Sequence, residues 1–180
     1  MEYSITQKVL GMEPQELRRE LQTGESSDLK WRRRVIGLSI FGAGVTALIS
    51  LFQTGIIRHL PDPPMQSFDS EKVMLSDPAY MWGNADATLA MTTAAANLPI
   101  ASFGGIDRAA KIPAVPLFAT AKAAVDAASA GWYFYQMAAK QRRWCMYCIV
   151  TAATFAGIFA LTLPEAMSAL GELDRRKNGK

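Results

Sequence analysis

The sequence predicts an all-α integral membrane protein, a bundle of four transmembrane helices. Three stretches, residues 35–57, 87–106 and 144–164, contain no charged residue. Each is long enough to cross a hydrocarbon layer of about 30 Å as a helix. A fourth apolar stretch, residues 112–139, contains only the charges of Lys122 and Asp126. Four membrane spans therefore account for most of the apolar residues in the chain.

The segments outside these spans divide the chain into three parts. Residues 1–34 are predicted to form a cytoplasmic amphipathic arm, with one helix starting near Pro14 and a second one capped by residues 26–28. This arm either lies in solvent or at the membrane interface, or serves as a docking arm for a partner protein. Residues 35–166 form the transmembrane domain, and residues 167–180 form a basic cytoplasmic tail.

The distribution of basic residues predicts the orientation. With both termini in the cytoplasm, 13 Lys and Arg residues fall on the inner side and 5 on the outer side, as the positive-inside rule requires. We therefore expect a bacterial inner-membrane protein whose last span begins on the periplasmic side. The net charge of +3 is small, and the basic residues are not interleaved with aromatic ones, which argues against nucleic-acid binding.

Several residues within the spans bear on packing. Gly42 and Gly44 should allow close approach of the first span to its neighbours, because helices in lipid associate through packing. Lys122 and Asp126 are four residues apart and so share one helix face. Charges at this depth normally face the bundle interior, where this pair would be either a structural ion pair or part of a polar wall or proton path.

The chain contains two cysteines, Cys145 and Cys148, in a Cys-X-X-Cys pair. A tetrahedral zinc site needs four ligands, and His59 is the only histidine, so no metal is expected. The first turn of the last helix and the nearby Arg142 and Arg143 would favour a thiolate at Cys145. Cys145 is then predicted to be the exposed thiol, with Cys148 deeper, near a hydrophobic electron acceptor. Two purely structural thiols are the alternative.

Three features occur together in this sequence. They are the four-span layout, the segment WCMYCIV at residues 144–150, and the loop segment FDSEKVMLS at residues 68–76, which is followed by Gly83 and Asp86. With these features the sequence resembles the vitamin K epoxide reductase family of quinone-linked membrane thiol oxidoreductases. The resemblance covers about residues 31–170.

The resemblance implies roles for individual residues. Cys148 would react with a quinone of the ubiquinone or menaquinone type, and Cys145 would receive electrons from a thioredoxin-like periplasmic protein. The family's loop serine corresponds to Ser76, and its quinone-contacting amide corresponds to Asp86, which can donate a hydrogen bond only when protonated. The other expected quinone contacts are Trp82, Trp132, Tyr133 and Thr151, although an aromatic belt at the membrane interface would also explain Trp132 and Tyr133.

The loop departs from the family pattern. Family members usually carry a second cysteine pair there, whereas Ser70 stands at one of those positions and no further cysteine exists. An internal electron shuttle is therefore impossible, and the resemblance implies that a separate dithiol protein attacks Cys145 directly. The predicted function is a thiol:quinone oxidoreductase that supports disulfide formation. The alternative is a non-catalytic membrane subunit that retains the fold within a larger complex.

Overall fold

The computed structural model describes residues 11–178, in which the chain is helical apart from its connecting segments. The all-α prediction is therefore confirmed for this part of the chain. The helices in chain order are α1 (Pro14–Thr23), α2 (Ser27–Gln53), α3 (Ser70–Met74), α4 (Asp86–Ser102), α5 (Arg108–Lys111), α6 (Ala114–Gln136) and α7 (Met146–Asn178). A 3-10 helix spans Asp77–Gly83, and a π-helical turn, Met137–Gln141, follows α6.

Helix starts follow the local capping signals in the sequence. Pro14 is the first residue of α1, where its missing N–H costs nothing. The side chain of Ser26 accepts a hydrogen bond from the backbone N–H of Leu29 and so caps α2. The Asp69 carboxylate caps α3 in the same way. These starts agree with the sequence, whereas α7 extends well beyond the predicted end of its span at residue 164.

The four long helices α2, α4, α6 and α7 pack as an up-and-down bundle. Gln53 at the end of α2 contacts Asp86 at the start of α4, while Arg32 near the start of α2 contacts Ala101 near the end of α4. α2 packs against both α4 and α7, and α6 packs against α7. The bundle therefore has a disulfide end, which contains Cys145 and Cys148, and an opposite end, where the α4–α5 connection lies.

Close packing in the bundle centre depends on one of the two predicted glycines. A Cβ atom on Gly42 would lie 3.0 Å from the Thr154 Cγ2 atom of α7, so a larger residue would push the two helices apart. Gly44 instead faces open space, with no described atom within 4 Å of the position that a Cβ atom would occupy. The prediction is confirmed for Gly42 and wrong for Gly44, because the interface follows one face of α2.

The outer surface of the bundle is suited to lipid. α2 and α7 are each long and apolar enough to cross a membrane. Large apolar side chains are exposed on the outside of α2, α6 and α7, and they include Ile40, Phe41, Phe118, Leu163 and Met167. Such an exterior is unfavourable in water and stable in hydrocarbon. The membrane crossing of α4 and α6 remains a prediction.

Two buried arginines hold the other end of the bundle together. Arg32, with 3% of its surface exposed, donates hydrogen bonds to the carbonyl oxygens of Ala101, Phe103, Gly104 and Gly105. These carbonyls lie at the C-terminus of α4, where the helix offers them no partner. Arg108 binds Glu165 of α7 through two hydrogen bonds of 2.6 Å each. We call this region, defined by Arg32, Arg108 and Glu165, the arginine end.

Replacement of Arg108 by methionine should destabilise the bundle strongly. The variant leaves the Glu165 carboxylate buried without its partner, so we expect the free energy of unfolding to fall by about 3–5 kcal/mol. The matched control is Arg175→Met, which breaks the exposed pair with Glu172 and should change that free energy by less than about 1 kcal/mol. Unfolding in detergent, followed by circular dichroism, measures both effects, and equal effects would contradict the assigned role of Arg108.

Candidate active site: a disulfide beside an apolar cavity

Cys145 and Cys148 form a disulfide at the start of α7, with their Cα atoms 5.2 Å apart. Cys145 immediately precedes the helix, and its carbonyl oxygen accepts the hydrogen bond from Ile149 that begins the helical ladder. Its sulfur also accepts a hydrogen bond of 3.1 Å from the backbone N–H of Cys148. Cys145 therefore lies at the capping position of α7, one residue before the first turn in which the sequence places it.

The two sulfurs differ in their surroundings. Cys145 is completely buried, with 0% of its surface exposed, and it packs in an apolar cluster that includes Leu60, Met74 and Met137. Cys148 is only half-buried, and it lines a cavity inside the bundle. The predicted exposure of Cys145 is therefore wrong, because the loop between α2 and α4 covers it.

Ser70 attaches this loop to the start of α7. Its side chain is completely buried, and its hydroxyl accepts a hydrogen bond of 3.1 Å from the backbone N–H of Met146, an N–H that α7 itself leaves without a partner. The same hydroxyl donates to Asp62, whose other carboxylate oxygen accepts from the Ser70 backbone N–H at 2.7 Å. We call Asp62, Ser70 and Met146 the loop latch.

Hydrogen bonds from the residues that precede Ser70 strengthen this attachment. The Trp144 N–H donates to the Ser67 carbonyl at 2.9 Å, and the Asp69 N–H donates to the Trp144 carbonyl at 3.0 Å. The hydroxyl of Tyr147 donates to the Pro61 carbonyl at 2.8 Å. Residues 61–70 are thus bonded to the residues on both sides of Cys145. Because Cys145 is completely buried, a protein thiol can reach its sulfur only after the surrounding segments move.

A cavity of about 660 Å³ lies between the four long helices at the disulfide end. Its volume is within the range of roughly 300–1,000 Å³ that is typical of small-molecule sites, and its walls are mainly apolar. The structure brings most of the predicted quinone contacts together in its lining, where they accompany Cys148: Ser76, Asp86, Trp132, Tyr133 and Thr151. The side chain of Trp82 lies outside the described part of the structure.

Gln53 is a cavity residue that the sequence reasoning missed. It is buried, and its side-chain amide donates hydrogen bonds to the Met74 carbonyl at 3.0 Å and to the Asp86 carboxylate at 2.7 Å. Its own oxygen accepts from the Ala87 N–H at 3.2 Å. These three bonds fix the Asp86 carboxyl group at the cavity wall. A polar amide at the end of an uncharged span was the signal that could have identified Gln53.

Three polar atoms of cavity-lining residues have no hydrogen-bond partner within residues 11–178: the side-chain oxygens of Gln136, Gln141 and Thr151. A buried polar group without a partner is costly and usually indicates a bound water or ligand. The Thr151 hydroxyl can donate to a carbonyl oxygen, whereas the amide oxygens can accept from a hydroxyl. The cavity thus offers partners for oxygen atoms in both their carbonyl and hydroxyl forms.

Metal binding has no support in this region. Among residues 11–178, no three His, Cys, Asp or Glu side chains come close enough together to hold a metal ion. The disulfide is the redox-active group of this arrangement. A Cys-X-X-Cys disulfide can accept two electrons from one side and, as a dithiol, can return them to a ligand beside Cys148.

Comparison with known proteins identifies one match. The family model described as "Vitamin K epoxide reductase family" matches residues 34–163, which is well over half of the chain. The matched range contains both cysteines and every residue of the cavity lining. Comparisons with curated proteins and with solved structures give no match.

Replacement of Ser70 by alanine should make Cys145 more accessible. The test uses a Cys148→Ser background, in which Cys145 is the only thiol, and measures its alkylation rate with a maleimide. Loss of the latch hydrogen bonds, worth about 1 kcal/mol or more, should raise this rate by about tenfold. The matched control is Ser67→Ala, because the Ser67 side chain is exposed. Similar rates for both variants and their parent would exclude the latch.

Proposed function

Because the chain belongs to the vitamin K epoxide reductase family, we propose that it is a membrane thiol:quinone oxidoreductase. The family consists in general of membrane oxidoreductases that act on thiols and quinones. In this chain, a dithiol partner protein would reduce the Cys145–Cys148 disulfide, and Cys148 would pass the electrons to a quinone of the ubiquinone or menaquinone type. Electrons released when disulfides form in exported proteins would thus pass through the partner and this chain to the membrane quinone.

One observation carries this proposal: Cys148, and not Cys145, lies in the wall of the 660 Å³ apolar cavity. A quinone ring needs an apolar site with a few polar groups that fix its oxygen atoms. Thr151 lies one turn beyond Cys148 on α7, with a hydroxyl that has no partner in the described residues. Gln53 holds the Asp86 carboxyl at the same wall. These groups support binding of a quinone ring next to the Cys148 sulfur.

The thiol half of the reaction takes place at Cys145. A partner thiolate attacks the Cys145 sulfur, so that a mixed disulfide forms and Cys148 leaves as a thiolate. The partner's second thiol then attacks the sulfur of the partner's first cysteine, which is bonded to Cys145 in the mixed disulfide. This step forms the partner's disulfide and releases Cys145 as a thiolate. Because Cys145 is buried and the loop latch holds the loop beside it, the partner would have to displace the loop before the first attack.

The quinone half restores the disulfide. Cys145 and Cys148 together give up two electrons, and the quinone takes these electrons with two protons and becomes a hydroquinone. Overall, one partner dithiol and one quinone become one disulfide and one hydroquinone. Buried amides that accept hydrogen bonds, such as Gln136, would bind the hydroxyl groups of this product.

We also propose a four-span arrangement in a bacterial inner membrane, with α2, α4, α6 and α7 crossing it. Both termini would lie in the cytoplasm, and the disulfide end would face the periplasm. The apolar exterior of α2, α6 and α7 supports this placement, as does the excess of basic residues in the segments assigned to the inner side. Residues 1–34 would form the cytoplasmic arm and residues 167–180 the cytoplasmic tail.

A non-catalytic subunit of a larger membrane complex is the second candidate. It is favoured by the sealed position of Cys145 and by Ser70, which stands where the family usually has a shuttle cysteine. The redox state of the cysteines in isolated membranes separates the two candidates. A disulfide that re-forms after reduction when quinone is added favours the enzyme, whereas thiols that stay reduced, together with co-purification at fixed stoichiometry, favour the subunit.

Replacement of Cys148 by serine should abolish quinone-dependent turnover. The variant lacks the sulfur that lines the cavity, so electrons from a dithiol can no longer reach the quinone. Hydroquinone formation is followed by absorbance with reduced thioredoxin as donor and decylubiquinone as acceptor. Turnover that persists in the Cys148→Ser variant would refute the proposed electron path.

Replacement of Thr151 by valine should weaken quinone binding. The variant removes one donor to a quinone oxygen, so the KM for decylubiquinone should rise by about tenfold, with a smaller change in the rate at saturation. The matched control is Thr154→Val, because the Thr154 hydroxyl binds the Val150 carbonyl within α7 and Thr154 does not line the cavity. Equal KM values for both variants would exclude Thr151 as a contact.

A further inference from the structure

We propose that a row of buried polar groups carries protons from the arginine end of the bundle to the cavity, with Asp126 as the group that protonates the reduced quinone. This inference rests on the proposed function, because a quinone that takes two electrons must also take two protons. We call Asp126, Lys122, Asn97, Glu165 and Arg108 the polar row. In this row Asp126, Lys122, Glu165 and bound water would exchange protons, whereas the Asn97 amide and the Arg108 guanidinium would only position water.

The cavity end of the row is an ion pair inside an apolar helix interface. Asp126 lines the cavity, and its carboxylate accepts a hydrogen bond of 2.6 Å from the Lys122 ammonium. That ammonium also donates to Asn97 at 2.8 Å and to the Thr93 carbonyl on α4. The side chains of Lys122 and Asp126 are only 16% and 8% exposed. The Lys122 ammonium is thus bonded to the Asp126 carboxylate at the wall of the cavity proposed to bind the quinone.

The next part of the row is a small second cavity. Asn97 is buried, and its side-chain NH₂ group has no partner among the described residues. It borders a space of about 20 Å³ that Glu165 and Arg108 also line. This volume is sufficient for one water molecule. A water bound there would bridge the Asn97 amide and the Glu165 carboxylate, which gives the unpartnered NH₂ group an acceptor.

The row reaches the surface at the arginine end. Arg108 also lines a third cavity, of about 240 Å³, that is bordered by Asp107 and Lys111. Both of these residues are exposed, so this space is accessible to solvent. The two smaller cavities share Arg108, and the quinone cavity is joined to them through Asp126, Lys122 and Asn97. Polar groups therefore extend through most of the length of the bundle.

This path gives the reaction a direction across the membrane. Oxidation of the partner dithiol releases two protons at the disulfide end, while reduction of the quinone takes up two protons through the arginine end. The ion pair could otherwise serve only to neutralise two charges, and such a pair can often be replaced by apolar residues without loss of stability. Removal of the ion pair should therefore change proton uptake if the pair carries protons, and should leave it unchanged if the pair only neutralises two charges.

The test measures on which side protons are taken up. The full-length protein is reconstituted in liposomes that contain decylubiquinone in the bilayer and the pH indicator pyranine in the lumen. Reduced thioredoxin added outside cannot cross the bilayer, so only molecules with an outward disulfide end turn over. Valinomycin and potassium prevent a membrane potential from building up. We expect the lumenal pH to rise in step with hydroquinone formation.

Three variants locate the path at the ion pair. In the double variant Lys122→Met/Asp126→Leu, the lumenal pH rise should disappear, and hydroquinone formation should slow by about a hundredfold, as expected for loss of a proton donor. Asp126→Asn serves as a second variant of unchanged size, and Asp126→Glu should restore both signals. The matched control is Glu172→Leu/Arg175→Met, which removes an exposed pair of α7 and should leave both signals unchanged.

The outcomes separate this inference from the proposed function. Hydroquinone formation by the unmodified protein without a lumenal pH rise would overturn the proton path and leave the oxidoreductase proposal intact. The same holds if the double variant and Asp126→Asn behave like the unmodified protein. Failure of the unmodified protein to form hydroquinone at all would overturn both proposals. A variant that loses thioredoxin oxidation in the first, quinone-free turnover has lost the disulfide chemistry itself, which would contradict a role limited to protons.

Discussion

The closure of residues 61–70 over the start of α7 determines the surroundings of both sulfur atoms. A helix start leaves backbone N–H groups without partners, and here the Ser70 hydroxyl binds one of them while the Cys145 sulfur binds another. The loop is thereby held against the helix and buries Cys145. Cys148, one turn further along α7, is left in the cavity wall. One disulfide thus has a side covered by protein and a side that faces the cavity.

The different surroundings of the two sulfurs would let two reactants approach the disulfide from different sides. In the proposed reaction, a protein thiol would reach Cys145 from the disulfide end, whereas a quinone would enter from the lipid and meet Cys148 inside the bundle. A closed loop would then keep water and foreign thiols from the cysteine pair while electrons move to the quinone. In this chain Ser70 makes the attachment, and the loop contributes a hydrogen bond to the start of α7.

The buried charged residues in the rest of the bundle have two kinds of surroundings. Arg32 satisfies carbonyl oxygens at the end of α4, and its contacts explain why an arginine is tolerated in a buried position. The pair of Lys122 and Asp126 satisfies no helix end and instead lies beside the cavity. In the proposed proton path, this pair would serve the chemistry of the neighbouring site.

Residues close together in the sequence were predicted well, because capping and apolar length are local properties. The starts of α1 and α2 and the position of the cysteine pair at the start of the last long helix agree with the structure. The structural roles of Gln53 and Arg32 were missed. Neither a single amide near the end of an apolar run nor one arginine within a basic cluster indicates its partner. Both residues acquire their roles from α4, which follows them by dozens of residues.

The sequence by itself determined the helical class, the apolar spans and the two sulfurs that can carry electrons, because these depend on composition and on spacing of a few residues. Only the tertiary structure decided which sulfur is buried, which glycine lies in a helix interface and which polar groups share one cavity. These properties depend on contacts between helices and loops that are distant in the chain. Burial is a property of the packed molecule, and no local pattern around Cys145 could have revealed the loop that covers it.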